Sequence, residues 1–429
     1  MSRPDRALTS ADFRPETPLN LFFAWNEARP RHDRRYDTLR AVWRLEREPA
    51  LGYLLGPAPP APAAISAAEA VLEALDAAIG TDEIDRHAAL FRALDALEDQ
   101  IDLAALPAHR PSRRTAGPKR ILVIKLSALG DFIQALGPMA AIRGHHAGDH
   151  ITLLTTRPFA GFAERTGHFD TVRIDRRAQP LDVGGWLGLR RMLRAGRFDR
   201  VYDLQTSQRS SSYARLWWPD PPPEWSGIAR HGSHPHADLG RDPKHTIAKQ
   251  AEQLLMAGIH PTPLPALPAE GGSLPAEIAG RPFALMIPGS SPGHPGKRWP
   301  AERYGELART LGERGLLPVV VGGKGERGLA EAIAARAPGT IDLTGRTELV
   351  DLVALARAAT VTIGNDTGVS HIAAAGGKPL VVLFSGESEP SRCAPRGRQV
   401  TVLRRVPLAD MAVATVLTAV EAALQLNNV

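Results

Sequence analysis

The residues Gly364-Asn365-Asp366-Thr367-Gly368-Val369-Ser370-His371 follow a β-branched run, Thr360 to Ile363, and open a predicted helix, Val369 to Ala375. A strand that ends in polar and glycine residues before a helix is how a parallel α/β sheet presents a ligand site. Backbone N–H groups and the helix N-terminus then face outward toward an anion. Asp366, Thr367 and His371 add side-chain hydrogen bonds, and a phosphate-bearing ligand is the expected partner. The pattern also suits a strand, a turn and a capped helix with no ligand, since Asp and Thr are ordinary N-caps.

Four further constellations could do chemistry. Lys125-Leu126-Ser127-Ala128-Leu129-Gly130-Asp131 ends the first β-rich run; Gly130 would allow a tight turn, and Asp131 would arrive at the sheet's top as a carboxylate able to take a proton from an attacking hydroxyl. Asp at a helix start is commonly a cap, and the helix dipole lowers its pKa, so spacing alone favours capping. Pro288-Gly289-Ser290-Ser291-Pro292-Gly293-His294-Pro295-Gly296-Lys297-Arg298-Trp299-Pro300 offers small residues that let backbone approach a phosphate and two cations to neutralise it. Walker spacing fails there, and a flexible basic loop is an equal reading. Gly323-Lys324-Gly325-Glu326-Arg327-Gly328 matches the dinucleotide pattern in letters, but follows the second strand of its series rather than the first. The cluster His231, His234, His236 and Asp238 could ligate a metal, but with no thiolate and no helical H-E-x-x-H it reads as a solvated loop. No G-x-S-x-G elbow supports hydrolase chemistry.

These turns need sheets to hold them. From Arg120 onward, short β-rich runs alternate with amphipathic helices, which predicts parallel sheets covered on both faces. One series has strands at Ile121–Leu126, Ile151–Thr155, Thr171–Ile174 and Arg200–Leu204, with helices from the Ser127–Asp131 turn to about Arg143, near Gly184–Ala195 and near His245–Ala257. After the proline-rich passage Pro261–Pro275, a second has strands at Phe283–Ile287, Leu317–Val321, Thr340–Leu343, Val361–Ile363 and Leu380–Phe384. Two doubly wound domains would leave a cleft between them. Ahead of both, helical spacing at Leu39–Glu48 and Ile65–Ile101, punctuated at Gly56–Ala64, predicts a helical extension. Its Arg29–Arg35 charge run reads as a solvated face, and Ala108–Lys119 as a linker.

Length and composition agree with this plan. The 429 residues exceed one hydrophobic core, and 43% hydrophobic with 23% charged residues is ordinary for a globular protein. Net charge of +6 draws the chain toward anionic partners, although an arginine-rich composition alone gives the same excess. The single cysteine, Cys393, excludes an internal disulfide and a thiolate cluster and reads as structural or incidental. No apolar run reaches membrane-spanning length and Met1–Arg14 is polar, so a cytoplasmic protein is expected.

Taken in order, Lys-x-Ser-x-x-Gly-Asp after the first strand, Pro-Gly-Ser-Ser with Lys297-Arg298-Trp299-Pro300, and Gly364-Asn365-Asp366-Thr367-Gly368-x-x-His371 resemble glycosyltransferase family 9, the lipopolysaccharide heptosyltransferases, over about Arg120 to Arg404. The resemblance implies a GT-B fold: two Rossmann-like domains facing a cleft, here residues 119–265 for the acceptor and 276–429 for the nucleotide sugar, behind a helical extension over 1–118. It implies metal-independent inverting transfer of a heptose from an ADP-activated donor to a lipid A–inner core acceptor in a Gram-negative cell. No cofactor and no nucleic acid is implied, and the enzyme would sit in the cytoplasm, peripheral on the inner membrane. Asp131 then matches the general base, the opposite of what spacing alone favours. Lys297 matches the donor-phosphate lysine, with Ser290 and Ser291 beside it, and Asp366, Thr367, Gly368 and His371 match the donor-binding turn. Two rivals remain: a nicotinamide-linked oxidoreductase using Gly323–Gly328, and a non-catalytic sugar-nucleotide-binding module. No role follows for the extension.

Overall fold

A computed structural model describes residues 62–78, 93, 96, 117–229, 232–236, 244–259, 261–291 and 293–425. The expected features at Met1–Arg14, Arg29–Arg35 and Leu39–Glu48, most of the Ala108–Lys119 linker, and His231 and Asp238 lie outside these residues.

Helix α1 (Pro62–Ala78) precedes the sheets and buries Ala64, Ala68, Val71 and Leu72, a helical spacing of four, three and one. The first sheet contains β1 (Arg120–Ile124), β2 (His150–Thr155), β3 (Thr171–Ile174), β4 (Arg200–Asp203), β5 (Glu224–Gly227) and β6 (His234–Pro235). Between and after them run α2 (Leu129–Gln134), α3 (Leu136–His145), α4 (Arg157–Glu164), α5 (Val183–Ala195), α6 (Gln208–Ser212) and α7 (Thr246–Met256). The second sheet contains β7 (Phe283–Ile287), β8 (Leu317–Val320), β9 (Ile341–Asp342), β10 (Val361–Asn365), β11 (Leu380–Phe384) and β12 (Val400–Arg404). Its helices are α8 (Ala301–Glu313), α9 (Arg327–Arg336), α10 (Leu349–Ala358), α11 (Gly368–Ala375), α12 (Pro390–Cys393) and α13 (Val413–Gln425).

All pairings are parallel, and the orders β3-β2-β1-β4-β5-β6 and β12-β11-β10-β7-β8-β9 are the same arrangement: each sheet starts in its middle, winds one way, then returns to wind the other. Strand order reverses between β1 and β4 and between β7 and β10. Loops leaving adjacent strands there diverge to opposite faces and open a crevice at the carboxyl ends. Lys125–Ala128 and Leu204–Ser207 leave the first switch point. Pro288–Pro300 and Asp366–Thr367 leave the second, so the chemistry-bearing motifs sit where this topology places ligands.

Strand periodicity decides which core each residue joins. Ile121 and Val123 face one apolar cluster and Leu122 and Ile124 another, while Phe283, Leu285 and Ile287 face one and Ala284 and Met286 another. Both faces are covered, hence the unbroken apolar runs. The cluster holding Ile121, Phe132 and Leu136 also holds Ile287, Ile372 and Val382, so it is continuous from one sheet to the other.

Three expectations are corrected. Gly130 and Asp131 lie inside the first turn of α2, not in a loop before it, and the expected single helix divides at Ala135. The short strands β5, β6 and β12 are additions to the expected set. His234 and Pro235 form an edge strand, and His236 is buried with Nε2 3.3 Å from Glu252 Oε2, so the expected solvated histidine loop is instead part of the packed structure. Lys244 pairs with the same carboxylate. No group of three or more His, Cys, Asp and Glu among the described residues is placed to hold a metal ion.

Candidate active site

The second sheet's wall of the cleft is organised by Asn365 at the end of β10. Its carbonyl accepts from Trp299 N (3.2 Å) and the Tyr304 hydroxyl (3.1 Å), while its amide donates to Pro288 O (2.7 Å) and Gly289 O (3.4 Å). The side chain is fully buried, so these bonds meet amide groups that would otherwise go unsatisfied. They tie the loop after β7 to the turn after β10. Ser370 Oγ closes the turn by donating to Asn365 O at 2.7 Å.

On this frame Lys297 Nζ donates to Asp366 Oδ2 at 2.7 Å, and Ser388 Oγ donates to the same oxygen at 2.6 Å. The expectation of a cation open to phosphate is thereby modified: one of the three ammonium protons is already engaged, and two remain. Thr367 and Gly368 start α11, whose first-turn N–H groups have no intrahelical acceptor and whose dipole favours an anion. Ser290 departs from expectation. Its hydroxyl donates to His294 O (2.8 Å) and accepts from Arg298 Nε (3.1 Å), so this buried residue braces its own loop, whereas Ser291 is exposed.

Across the cleft, Ala128 at the N-cap of α2 has no side-chain acceptor, and Asp131 reaches back to accept its N–H at a long 3.4 Å. Capping and a site-facing position are thus combined in one carboxylate: Asp131 also lines a cavity of about 140 Å³ with Lys125, Gln205, Thr206, Thr246, Lys249, Gln250 and Gln253. Gln205 Oε1 accepts from Leu126 N (2.8 Å) and Ser127 N (3.0 Å), so the loop after β4 holds the loop after β1.

The two walls meet through glycines. A methyl at Gly130 would lie 2.8 Å from His371 Cδ2, and one at Gly368 would lie 2.7 Å from Leu129 Cβ and 3.0 Å from Gly130 N. Gly130 therefore serves close approach of α2 to α11 rather than the tight turn expected from sequence. His371 is buried here with Nδ1 unpartnered, and it feels the charges of Asp366, Asp131 and Lys297 together. A second bridge runs from His245: Ile247 N–H donates to its Nδ1 at 3.2 Å, which leaves Nε2–H to donate to Ala394 O at 2.9 Å.

Burial sets these imidazoles' charge. It pushes His371, His245 and, in the first sheet's shell, His146 down to about 4. All three are neutral at pH 7 in the folded protein. Their ordinary value is 6.5, so between about pH 6.5 and 4 the unfolded chain binds more protons, and stability, complete above this window, falls as pH drops through it. Asp203, raised by burial to about 6, acts oppositely, one carboxyl against three imidazoles. The urea midpoint should thus be lower at about pH 5 than at about pH 7.5; an equal or higher value at the acidic end would contradict neutral burial of these rings.

Gly323–Gly328 does not form a pyrophosphate cradle. Glu326 Oε2 accepts from Gly323 N at 2.7 Å, and its carboxylate leaves no room for a Cβ at Gly289 or Gly322, so an anion fills the turn a dinucleotide would need. Cys393 donates to Glu389 O, and burial raises its thiol to about 11, so it stays protonated at neutral pH.

The model of glycosyltransferase family 9 (heptosyltransferase) matches residues 227–415, which include β7 to β12 and the Lys297–Asp366 wall. This segment is similar to glycosyltransferase family 9 domains. Lipooligosaccharide heptosyltransferase 2 of Haemophilus ducreyi is 38% identical over 136 residues, 29% of this chain and 38% of the relative. Lipopolysaccharide heptosyltransferase 2 of Escherichia coli is 34% identical over 131 residues, 29% and 37% respectively. The chain thus spans less than two fifths of the length of these two relatives. Among solved structures, E. coli ADP-heptose lipopolysaccharide heptosyltransferase II superposes with a TM-score of 0.59 at 22% identity, covering 72% of this chain and all of that one. A family 9 glycosyltransferase from Veillonella parvula gives 0.62 at 22%, covering 72% and 98%. The fold is GT-B, with both Rossmann-like halves as the sequence implied.

Proposed function

We propose that this protein is an inverting, metal-independent glycosyltransferase that moves a heptose from an ADP-activated donor to a lipopolysaccharide inner-core acceptor. Residues 119–265 take the acceptor and 276–429 the nucleotide sugar. The observation carrying this reading is the opposition of Asp131, in the first turn of α2 at the first sheet's switch point, to the Lys297–Asp366 pair and the α11 N-terminus on the second, with His371 feeling the charge of Asp131, Asp366 and Lys297 together. In the reaction an acceptor oxygen bonds to the anomeric carbon as the carbon–oxygen bond to the diphosphate breaks. The acceptor proton passes to Asp131, and ADP departs with the bonding electrons. Lys297 and the helix N–H groups stabilise charge growing on the leaving diphosphate, which in other transferases a divalent cation does. Ser291, Thr367 and Gly368 contact the donor, and Asp366 orients Lys297.

Membrane association belongs to the same reading. Leu181, Val183, Leu187 and Trp218 are exposed at 93, 67, 53 and 75%, and Arg190 and Arg194 donate to Trp218 O from the same surface. Arg173, Arg176 and Arg177 are exposed nearby in sequence. Apolar side chains among arginines suit an anionic bilayer surface. No helix among the described residues is long and apolar enough to cross one.

The test is transfer from ADP-heptose to a lipid A–inner-core glycolipid in the presence of EDTA, beside thermal-shift titrations with ADP-heptose and with NADPH. Product formation and stabilisation by the ADP-sugar alone are expected. At a hundred times its dissociation constant a ligand stabilises by about 2.7 kcal/mol. Stabilisation by NADPH instead would favour the oxidoreductase, and donor binding without product would favour a non-catalytic module.

A further inference from the structure

His245 does more than begin a helix. As the N-cap of α7 it is buried, and its Nδ1 accepts from Ile247 N–H at 3.2 Å. Serine, threonine, aspartate and asparagine cap helices with one short acceptor, so capping alone gives no reason for an imidazole. What the ring adds is a second polar atom on its far side. With Nδ1 accepting, a neutral imidazole carries its proton on Nε2, and that N–H donates to Ala394 O at 2.9 Å, 149 residues away on the second sheet's side of the cleft.

Both ends of this bridge are held. Behind His245, Gln250 and Gln253 donate to Leu204 O (3.4 Å), Asp203 O (3.1 Å) and Ser226 O (3.2 Å), which fixes α7 to β4, the loop after it and β5. Beyond it, Ala394 closes α12 with its N–H on Pro390 O at 2.9 Å, and no Cβ would fit at Gly397 against Ala374 O, so the segment carrying the acceptor carbonyl is pressed onto the end of α11. α12 follows the loop whose Ser388 donates to Asp366 Oδ2, the oxygen that also holds Lys297. A line of hydrogen bonds thus runs from the first sheet to Lys297, and it crosses between the sheets at Nε2 of His245. The approach of α2 to α11 is of a different kind. There Gly130 and Leu129 meet His371 and Gly368 in van der Waals contact, which limits how near the helices come but has no preferred direction. A hydrogen bond weakens steeply when bent or stretched, so the imidazole restrains rotation that the glycine contact permits.

We propose that His245 is a positioning residue: one nitrogen starts α7, the other latches the α12 turn, and together they set the spacing between the Asp131 wall and the Lys297 wall. The catalytic use of that spacing rests on the transfer reading above, whereas the latch itself does not. None of the strand-end motifs contains this residue, because the two atoms it joins belong to elements far apart in the chain.

Asparagine and glutamine separate the two nitrogens. His245→Asn keeps a cap of the preferred type but is too short to reach Ala394, and His245→Gln carries an amide N–H about as far out as Nε2 but is a poor cap. The experiment measures distances between spin labels in the full chain by electron–electron double resonance, with labels at Arg191→Cys on α5 and Glu306→Cys on α8, both exposed, in a Cys393→Ser background. Steady-state kinetics with ADP-heptose and the lipid A–inner-core glycolipid accompany it. His245→Asn should widen the distance distribution and lower kcat about tenfold with donor KM within about twofold, the scale of one lost hydrogen bond that orients the reacting walls, while His245→Gln keeps the parent's distances and most of its kcat. Parent-like distances in His245→Asn overturn the latch, as does a folded His245→Gln that behaves like His245→Asn. If His245→Gln does not fold, His245→Asn decides alone. Widened distances with parent kcat overturn the positioning role. A parent that transfers no sugar overturns the transfer reading, and the distances still judge the latch.

Discussion

Asp131→Asn should abolish sugar transfer while leaving ADP-heptose affinity within about twofold of the parent. The amide matches the carboxylate in size and its oxygen can still accept from Ala128 N–H, so α2 keeps its start and the thermal midpoint should not move. What disappears is the capacity to hold the acceptor's proton, and general bases contribute about 10²–10⁴-fold to such reactions. Product release measured by chromatography, beside calorimetric titration of the donor, separates the two quantities. Unchanged turnover would remove Asp131 from the mechanism.

Lys297→Ala is expected to lower kcat by about 10²–10³-fold, the usual loss when a group stabilising developing negative charge is removed. Donor KM should rise as well, because truncation leaves Asp366 as an unbalanced anion where the diphosphate must sit. These contributions can be told apart. Adding Asp366→Asn to Lys297→Ala should restore part of the donor affinity without restoring kcat, since the repulsion is gone and the missing cation is not replaced. A double variant whose kcat recovers with its KM would mean that Lys297 only neutralises Asp366 and does nothing for the leaving group.

Much of this architecture was legible from residue order. Ile121–Ile124, Phe283–Ile287 and Leu380–Phe384 are continuous apolar runs because parallel strands are covered on both faces, and each ends in glycine, proline or polar residues where a ligand loop begins. β5, β6 and β12 were hidden for a physical reason. They are two to five residues long, and β12 lies at a sheet edge with exposed Val402 and Arg404, so neither length nor a buried apolar run marked them. The site divides in the same way. Asp131, Lys297, Asp366 and His371 stand in local motifs, whereas Gln205, Gln250 and Gln253 act through partners 27 to 79 residues away. A polar residue buried by its partners is indistinguishable, one position at a time, from one facing solvent. Ser290 fails oppositely, since a small hydroxyl in a phosphate-type loop looks the same whether it faces the ligand or its own backbone.

Asn365 fixes the second sheet's wall of the cleft as the chain folds. With three hydrogen bonds from Asn365 to the loop after β7 and a fourth from Tyr304 of α8, the entropy of arranging that loop is lost when the chain folds rather than when a ligand arrives. Under the proposed reading, a sugar nucleotide would meet preorganised walls, and its binding energy would be left for orienting the anomeric carbon toward the incoming oxygen.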